Sequence, residues 1–148
     1  MKYFVYFSLS GNGDYLASLL KEKGYEPVKI EMVKPPKKVN FFSIMKYGFR
    51  AGSNKKEKIK EHNFNPYIDD EVVVGSPIWN DRLSTPINTL LEQVHLNKDT
   101  TRFLVYPAGE KANKVVKQLE KLGFRNKPVV VQNPLVYKET ANEVLKEF

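Results

Sequence analysis

A chain that runs Tyr3-Phe4-Val5-Tyr6-Phe7 with no charged side chain, then breaks into Ser8-Leu9-Ser10-Gly11-Asn12-Gly13, has few folds open to it. A strand without a polar face is buried on both sides, the condition of a central strand in a parallel sheet. The hydroxyls and glycines after it mark a tight turn. A helical pattern follows over 13–23, with Leu16, Leu19 and Leu20 on one face and Gly24 as the stop. The same order then recurs. Strands are expected at 2–8, 27–32, 71–75, 102–106 and 128–132, and helices at 13–23, at 41–52, from Thr85, at 111–122 and from 138. Thr85 is expected as the N-cap of the third helix, with Pro86 at its first position. Strand then helix, five times over, specifies an α/β domain: an open parallel sheet with helices on both faces, joined by right-handed crossovers. The length of 148 residues fits one domain, 1–148.

Ligands of such sheets sit beyond the carboxyl ends of the strands, where the strand order reverses. The loop 8–13 stands at one such end. Amides at a helix start lack intrahelical partners, and the helix dipole adds partial positive charge there. Ser8 and Ser10 can donate to phosphate oxygens, and Gly11 and Gly13 let the backbone approach closely. The loop holds no Lys or Arg, no Gly-Lys-Ser/Thr ending and no G-x-G-x-x-G spacing. It therefore reads as a cradle of neutral donors for a single monophosphate; the plainer alternative is a tight turn with a serine N-cap. Two more loops occupy strand ends. Ser76-Pro77-Ile78-Trp79-Asn80-Asp81 follows the third strand, and Ala108-Gly109-Glu110 follows the fourth.

Composition narrows the chemistry. There is no cysteine, which excludes disulfides, thiolate metal sites and thiol redox chemistry. The two histidines, His62 and His95, have no metal-ligand spacing, so no metal site and no catalytic group are assigned. No apolar run is long enough for a membrane span, and no targeting pattern is visible, so a cytoplasmic location is expected. The charge is uneven: segment 34–60 holds nine basic residues and one acidic, a net of +8, which leaves −1 for the rest of the +7 chain. Such a segment is either a solvated loop or a surface for an anionic partner. Its helical part, 41–52, is rich in aromatics, for which core packing is the simpler account.

The three loops together resemble those of the flavodoxins. Ser8-Leu9-Ser10-Gly11-Asn12-Gly13 is similar to the family's phosphate loop, S/T-x-T-G-N-T. Gly75-Ser76-Pro77-Ile78-Trp79-Asn80-Asp81 resembles its second flavin loop, where a Trp commonly covers the ring's inner face. Ala108-Gly109-Glu110 resembles the third loop, at the pyrimidine edge. The resemblance spans the chain in order and is closest to the short-chain branch. It implies a three-layer α/β/α sandwich with strand order 2-1-3-4-5 and a non-covalent FMN held by Ser8, Leu9, Ser10, Gly11, Asn12, Gly13, Ser76, Pro77, Ile78, Trp79, Asn80, Asp81, Ala108, Gly109 and Glu110. Trp79 is the residue expected to stack on the ring; taken without its flanking motifs it reads as an ordinary half-buried loop aromatic.

Four features depart from the family pattern. Gly13 replaces the last hydroxyl of the phosphate loop. Asn80 stands where many flavodoxins have Gly, at a peptide that flips in the family on one-electron reduction; Asn makes that flip costlier. Asn113 falls where an outer-face Tyr would stand. The chain is basic, whereas flavodoxins that carry electrons are typically acidic. The expected function is electron transfer through FMN, with an acidic redox protein docking on 34–60, no nucleic-acid partner, and a monomer or weak dimer. The rivals are an NAD(P)H-dependent FMN oxidoreductase acting on quinones, favoured by Arg82 and Lys111 near the loops, and a binding module that keeps the fold without FMN.

Overall fold

The computed structural model describes residues 1–37, 41–109 and 112–148, and of Phe41 and Ile44 only the backbone. Strands β1 (Lys2–Tyr6) and β3 (Glu71–Trp79) lie side by side at the centre of the sheet. Outside them stand β2 (Glu26–Lys29) on one flank and, on the other, β5 (Arg102–Tyr106) and then β6 (Val129–Val130). These five strands are parallel, in the order β2-β1-β3-β5-β6. A two-residue strand, β4 (Arg82–Leu83), turns back antiparallel onto β3 and lies off this path. With β4 set aside the order is the expected 2-1-3-4-5.

Both faces of the central strands are buried, as their lack of a polar face requires. One set of side chains, Phe4, Tyr6, Val73, Leu104 and Tyr106, meets Leu16 and Leu20 of α1 (Asn12–Glu22) and Ala141 of α5 (Lys138–Val144). The alternate set, Val5, Phe7, Val74, Phe103 and Val105, meets Ile87 and Leu90 of α3 (Thr85–Gln93) and Val115 and Leu119 of α4 (Asn113–Lys121). Each fully buried Leu or Phe contributes about 1.5–3 kcal/mol over its exposed state. Helix α2 (Phe41–Gly52) joins this second layer through Tyr47 and Ala51, both buried.

Several boundaries differ from expectation, each for a local reason. The first strand ends at Tyr6 rather than at 8, and the first helix starts at Asn12. The second strand ends at Lys29, because the chain then leaves the sheet to pair 31–33 with 58–60: Lys60 N–H donates to the Glu31 carbonyl (2.8 Å) and Val33 N–H to that of Lys58 (3.0 Å). That bridge closes the base of the basic excursion. The third strand continues to Trp79, where expectation placed a loop, because residues 80–81 fold it into a hairpin. The N-cap of α3 is Ser84, in extended conformation (φ −61°, ψ 150°), and not Thr85; Pro86 lies one place further in. The last strand is only Val129–Val130, although Val131 N–H still reaches the Val105 carbonyl at 2.8 Å. The fourth helix starts at Asn113; Glu110 and Lys111 lie outside the described residues.

Gly75 sits where the rings of Phe4 and Tyr6 stack across β1, 4.9 Å apart and nearly parallel. A Cβ there would come within 2.5 Å of Phe4 Cζ and 2.8 Å of Tyr6 Cβ. Gly75→Ala is expected to destabilise the fold by about 1–3 kcal/mol, the usual cost of overpacking. Urea denaturation checks it, with an unchanged m-value marking a pure stability loss.

Candidate functional site

The loops after β1, β3, β5 and β6 meet at one edge of the sheet. The first is shaped by Ser8, whose side chain points inward. Its Oγ accepts from Gly11 N–H (3.2 Å) and Gly13 N–H (3.0 Å). Gly11, at φ 92°, supplies the left-handed turn that enters α1. Asn12 braces the loop from outside: its Oδ1 accepts from Leu135 N–H (3.1 Å) and its Nδ2 donates to Ser10 Oγ (3.3 Å). The amides of Leu9, Ser10 and Asn12 donate to no protein acceptor among the described residues. They are the donors left for an anion, at the positive end of α1.

Gly13 has a structural cause that the sequence did not reveal. A Cβ at this position would lie 2.6 Å from the Tyr106 hydroxyl and 2.8 Å from both Ser8 Cβ and Tyr6 Cδ2. The Tyr106 O–H, under the first turn of α1, donates to the Phe7 carbonyl. Burial, with the Asp14 carboxylate nearby, holds the Tyr106 phenol protonated far above its usual range. Tyr6 beside it is held protonated too, by burial first and by its hydrogen bond to Asp14 Oδ1 (2.9 Å) second. Asp14 is itself paired with Lys29 at 2.8 Å.

The second loop is a β-hairpin. Ile78 pairs with Leu83 and Trp79 with Arg82, leaving Asn80 and Asp81 as a two-residue turn. Both have positive φ, 50° and 59°, the signature of a type I′ turn. Two bonds hold the hairpin to α4. Asp81 Oδ2 accepts from Lys114 N–H at 3.1 Å, and Gln118 Oε1 accepts from Leu83 N–H at 3.0 Å. Asp81 Oδ1 is buried without a partner among the described residues. Half-buried Trp79 stands edge-on to Phe7 (5.6 Å between centroids) and tilted against Tyr47 of α2 (5.4 Å). Asn80 packs beside Gly52, where a Cβ would fall 2.3 Å from Asn80 Nδ2.

Ser76 lies deeper than a contact residue would. It is fully buried; its O–H donates to the Pro77 carbonyl (2.8 Å), and its oxygen accepts from Ser84 N–H (3.0 Å) and Ser84 O–H (2.9 Å). Its work is to pin the hairpin to the start of α3. Pro77 and Ile78 are half-buried, Ala108 and Gly109 are exposed at the rim, and Glu110 falls outside the described residues. Thus loop 8–13, Trp79, Asn80, Asp81, Ala108 and Gly109 share one edge. Three neighbours went unread in the sequence: Tyr47, Tyr106, and the turn at Asn133 (φ 36°) that carries exposed Leu135, Val136 and Tyr137. The Asn133-Pro134 pair was the available signal for that turn.

The arrangement can hold a monophosphate at the start of α1 and a planar aromatic system along Trp79. Solved structures share this architecture. A Bacteroides eggerthii DSM 20697 protein, provisionally named a flavoprotein, superposes with a TM-score of 0.70 over 99% of this chain and 96% of its own, at 18% identity. The fold is flavodoxin-like. A Lactobacillus acidophilus NCFM flavoprotein, solved in complex with FMN, matches with a TM-score of 0.60 over 95% of this chain and 97% of that one, also at 18% identity. Its apo-form, solved by NMR, matches with a TM-score of 0.59 at 19% identity, over 91% of this chain and 94% of that one. No family model matches the sequence, and no curated protein does.

The packing at Gly13 makes a specific expectation. Gly13→Ala costs about 1–3 kcal/mol in the native chain. In a Tyr106→Phe background, where the hydroxyl is gone, the same change costs at least ~0.5 kcal/mol less. A double-mutant cycle by chemical denaturation measures the difference; strict additivity would separate the two residues.

Proposed function

We propose that this chain binds FMN at the strand-end loops and carries electrons between proteins. The observation that supports it most is the pairing of two features on one edge: the amides of Leu9, Ser10 and Asn12, with no protein acceptor among the described residues, at a helix start whose loop holds no Lys or Arg, and half-buried Trp79. The first suits one dianionic phosphate, with Ser10 Oγ as a further donor. The second gives a flat apolar wall that excludes water from one side of a ring. Asp81 Oδ1, buried and without a partner among the described residues, is an acceptor suited to a ring N–H at the pyrimidine edge. Bound flavin supplies reversible electron uptake; the chain supplies position, hydrogen bonds and exclusion of solvent. An FMN complex on the same fold in Lactobacillus acidophilus supports the choice of cofactor.

The protein purified with its cofactor is expected to be yellow, and chromatography after heat release is expected to show FMN. FAD as the main species would overturn the choice, and a colourless protein that FMN fails to titrate would overturn the reading. Ser10→Ala is expected to weaken FMN binding by about 1–3 kcal/mol, the loss of a charge-assisted bond. Trp79→Ala is expected to weaken it by on the order of 1 kcal/mol beyond lost area, and to raise the bound flavin's fluorescence. An unchanged dissociation constant in either variant would remove that residue from the site. A steady-state assay with NADPH and a quinone separates the carrier, which turns over only with a reductase partner, from a stand-alone oxidoreductase.

The docking face in this reading is α2. Phe42, Met45 and Phe49 are 79%, 57% and 76% exposed, and their spacing sets them along one side of the helix. Tyr47 on the other side touches Trp79, so the face adjoins the flavin loop. In the surrounding segment Arg50, Lys56 and Lys60 are bridged to Glu57, Glu92 and Glu31, whereas Lys34, Lys37, Lys46, Lys55 and Lys58 have no carboxylate partner among the described residues. An acidic redox protein complements that surface. Met45→Ser with Phe49→Ser is expected to slow electron transfer to such a partner severalfold in stopped-flow, with FMN affinity unchanged. Lost FMN in this variant would show that α2 holds the cofactor rather than the partner.

A further inference from the structure

The sequence leaves a net charge of only −1 outside 34–60, yet the folded chain gathers a second basic cluster from that remainder. A groove of about 550 Å3 runs between α3 and α4, from the hairpin toward the opposite end of the sheet. Arg82 of β4, Lys98 of the loop after α3, and Lys114, Lys117 and Lys121 of α4 line it. The last three lie three and four residues apart, so they form one stripe along the helix. None of these five cations has a carboxylate within salt-bridge distance among the described residues. The lining's one carboxylate, Glu92, is already taken by Lys56 at 2.7 Å.

The floor is of a different character. Leu91 and Leu122 form it, and Phe124 lies buried beneath Lys98, whose ammonium is 3.9 Å from the ring centroid. Burial lowers the Lys98 pKa below the ordinary lysine range. Five cations without a carboxylate partner among the described residues make the groove a region of positive potential, which favours an anionic ligand. A cluster meant only for solubility would be dispersed and would not line a concavity of ligand size.

We propose that the α3–α4 groove is a second ligand site, taking a nucleotide-class molecule whose aromatic body lies against Leu91 and Leu122, beside the Lys98 ammonium that caps Phe124, and whose phosphates meet the α4 lysines. The assignment is independent of the flavin reading, since none of the lining residues belongs to the loops proposed for FMN. A rigid planar base fits the floor, and charge-assisted bonds from lysine to phosphate provide the polar half. An acidic peptide would use the same charges but not require a planar body.

The test is calorimetric titration of the full chain, as purified, at low ionic strength with ATP, pyrophosphate, adenosine and a polyglutamate peptide. ATP is expected to bind one per chain, at least about tenfold tighter than each of the other three, because only it meets both halves of the groove. Lys117→Glu with Lys121→Glu is expected to weaken ATP at least about tenfold, and Leu122→Glu to do the same. All these positions are exposed, so circular dichroism should report a native fold, and the flavin absorption should be unaltered. Binding of pyrophosphate or polyglutamate as tight as that of ATP would overturn the proposal in favour of a charge patch or a protein surface. ATP affinity unaffected by the variants, or absent, would overturn it outright.

Discussion

The hydroxyl of Tyr106 is buried, so its position decides much of what surrounds it. A buried phenol must find an acceptor or lose on the order of 1–3 kcal/mol. The acceptor is the Phe7 carbonyl, at the end of β1. To reach it the ring edge passes beneath the first turn of α1, and the turn can lie that close only if position 13 has no side chain. With Gly13 seated, its amide reaches Ser8 Oγ, which also gathers the Gly11 amide. The remaining loop amides, of Leu9, Ser10 and Asn12, have no protein acceptor among the described residues. The glycine at 13 is thus required by Tyr6 and Ser8 nearby in the chain and by Tyr106, 93 positions away.

How much was legible follows from how far each determinant lies. The central strands could be read because burial on both faces leaves its mark in consecutive residues: Val72, Val73 and Val74 point alternately to the two layers and are all apolar. The parallel sheet and its strand-end loops followed from that pattern, and the strand order from the resemblance of those loops to the flavodoxins. The hairpin was not legible, since Asn-Asp is a weaker I′ signal than Asn-Gly and the apolar run had already ended. The cap of α3 was misplaced by one residue because Ser84 and Thr85 are chemically alike. The choice between them is made by Ser76, eight residues upstream. The groove cations come from 82, 98 and 114–121, so a running sum of charge along the chain could not gather them.

The basic excursion is bound more closely to the loops than its composition implies. Its base is clamped by the pairing of 31–33 with 58–60, and its later part is held from α3, where the Thr89 hydroxyl oxygen accepts from Glu57 N–H at 3.0 Å. Within it, Gly52 leaves room for Asn80, and Tyr47 lies against Trp79. Helix α2 and the hairpin therefore pack as one body, and a side chain added at Gly52 would be felt at Asn80 before anything else.

The hairpin also has a consequence for the energetics of recognition. Neither Asn80 nor Asp81 is glycine, so the unfolded chain surrenders less backbone freedom in forming this turn than a glycine-based turn would. Reversing the central peptide would push Asn80 toward a region that only glycine enters cheaply. Asp81 and Gln118 meanwhile tie the turn and the returning arm to α4. The turn is thus ordered before any molecule arrives. A flat partner settling against Trp79 meets a wall whose entropy was lost during folding, and little of its contact energy goes into arranging the protein.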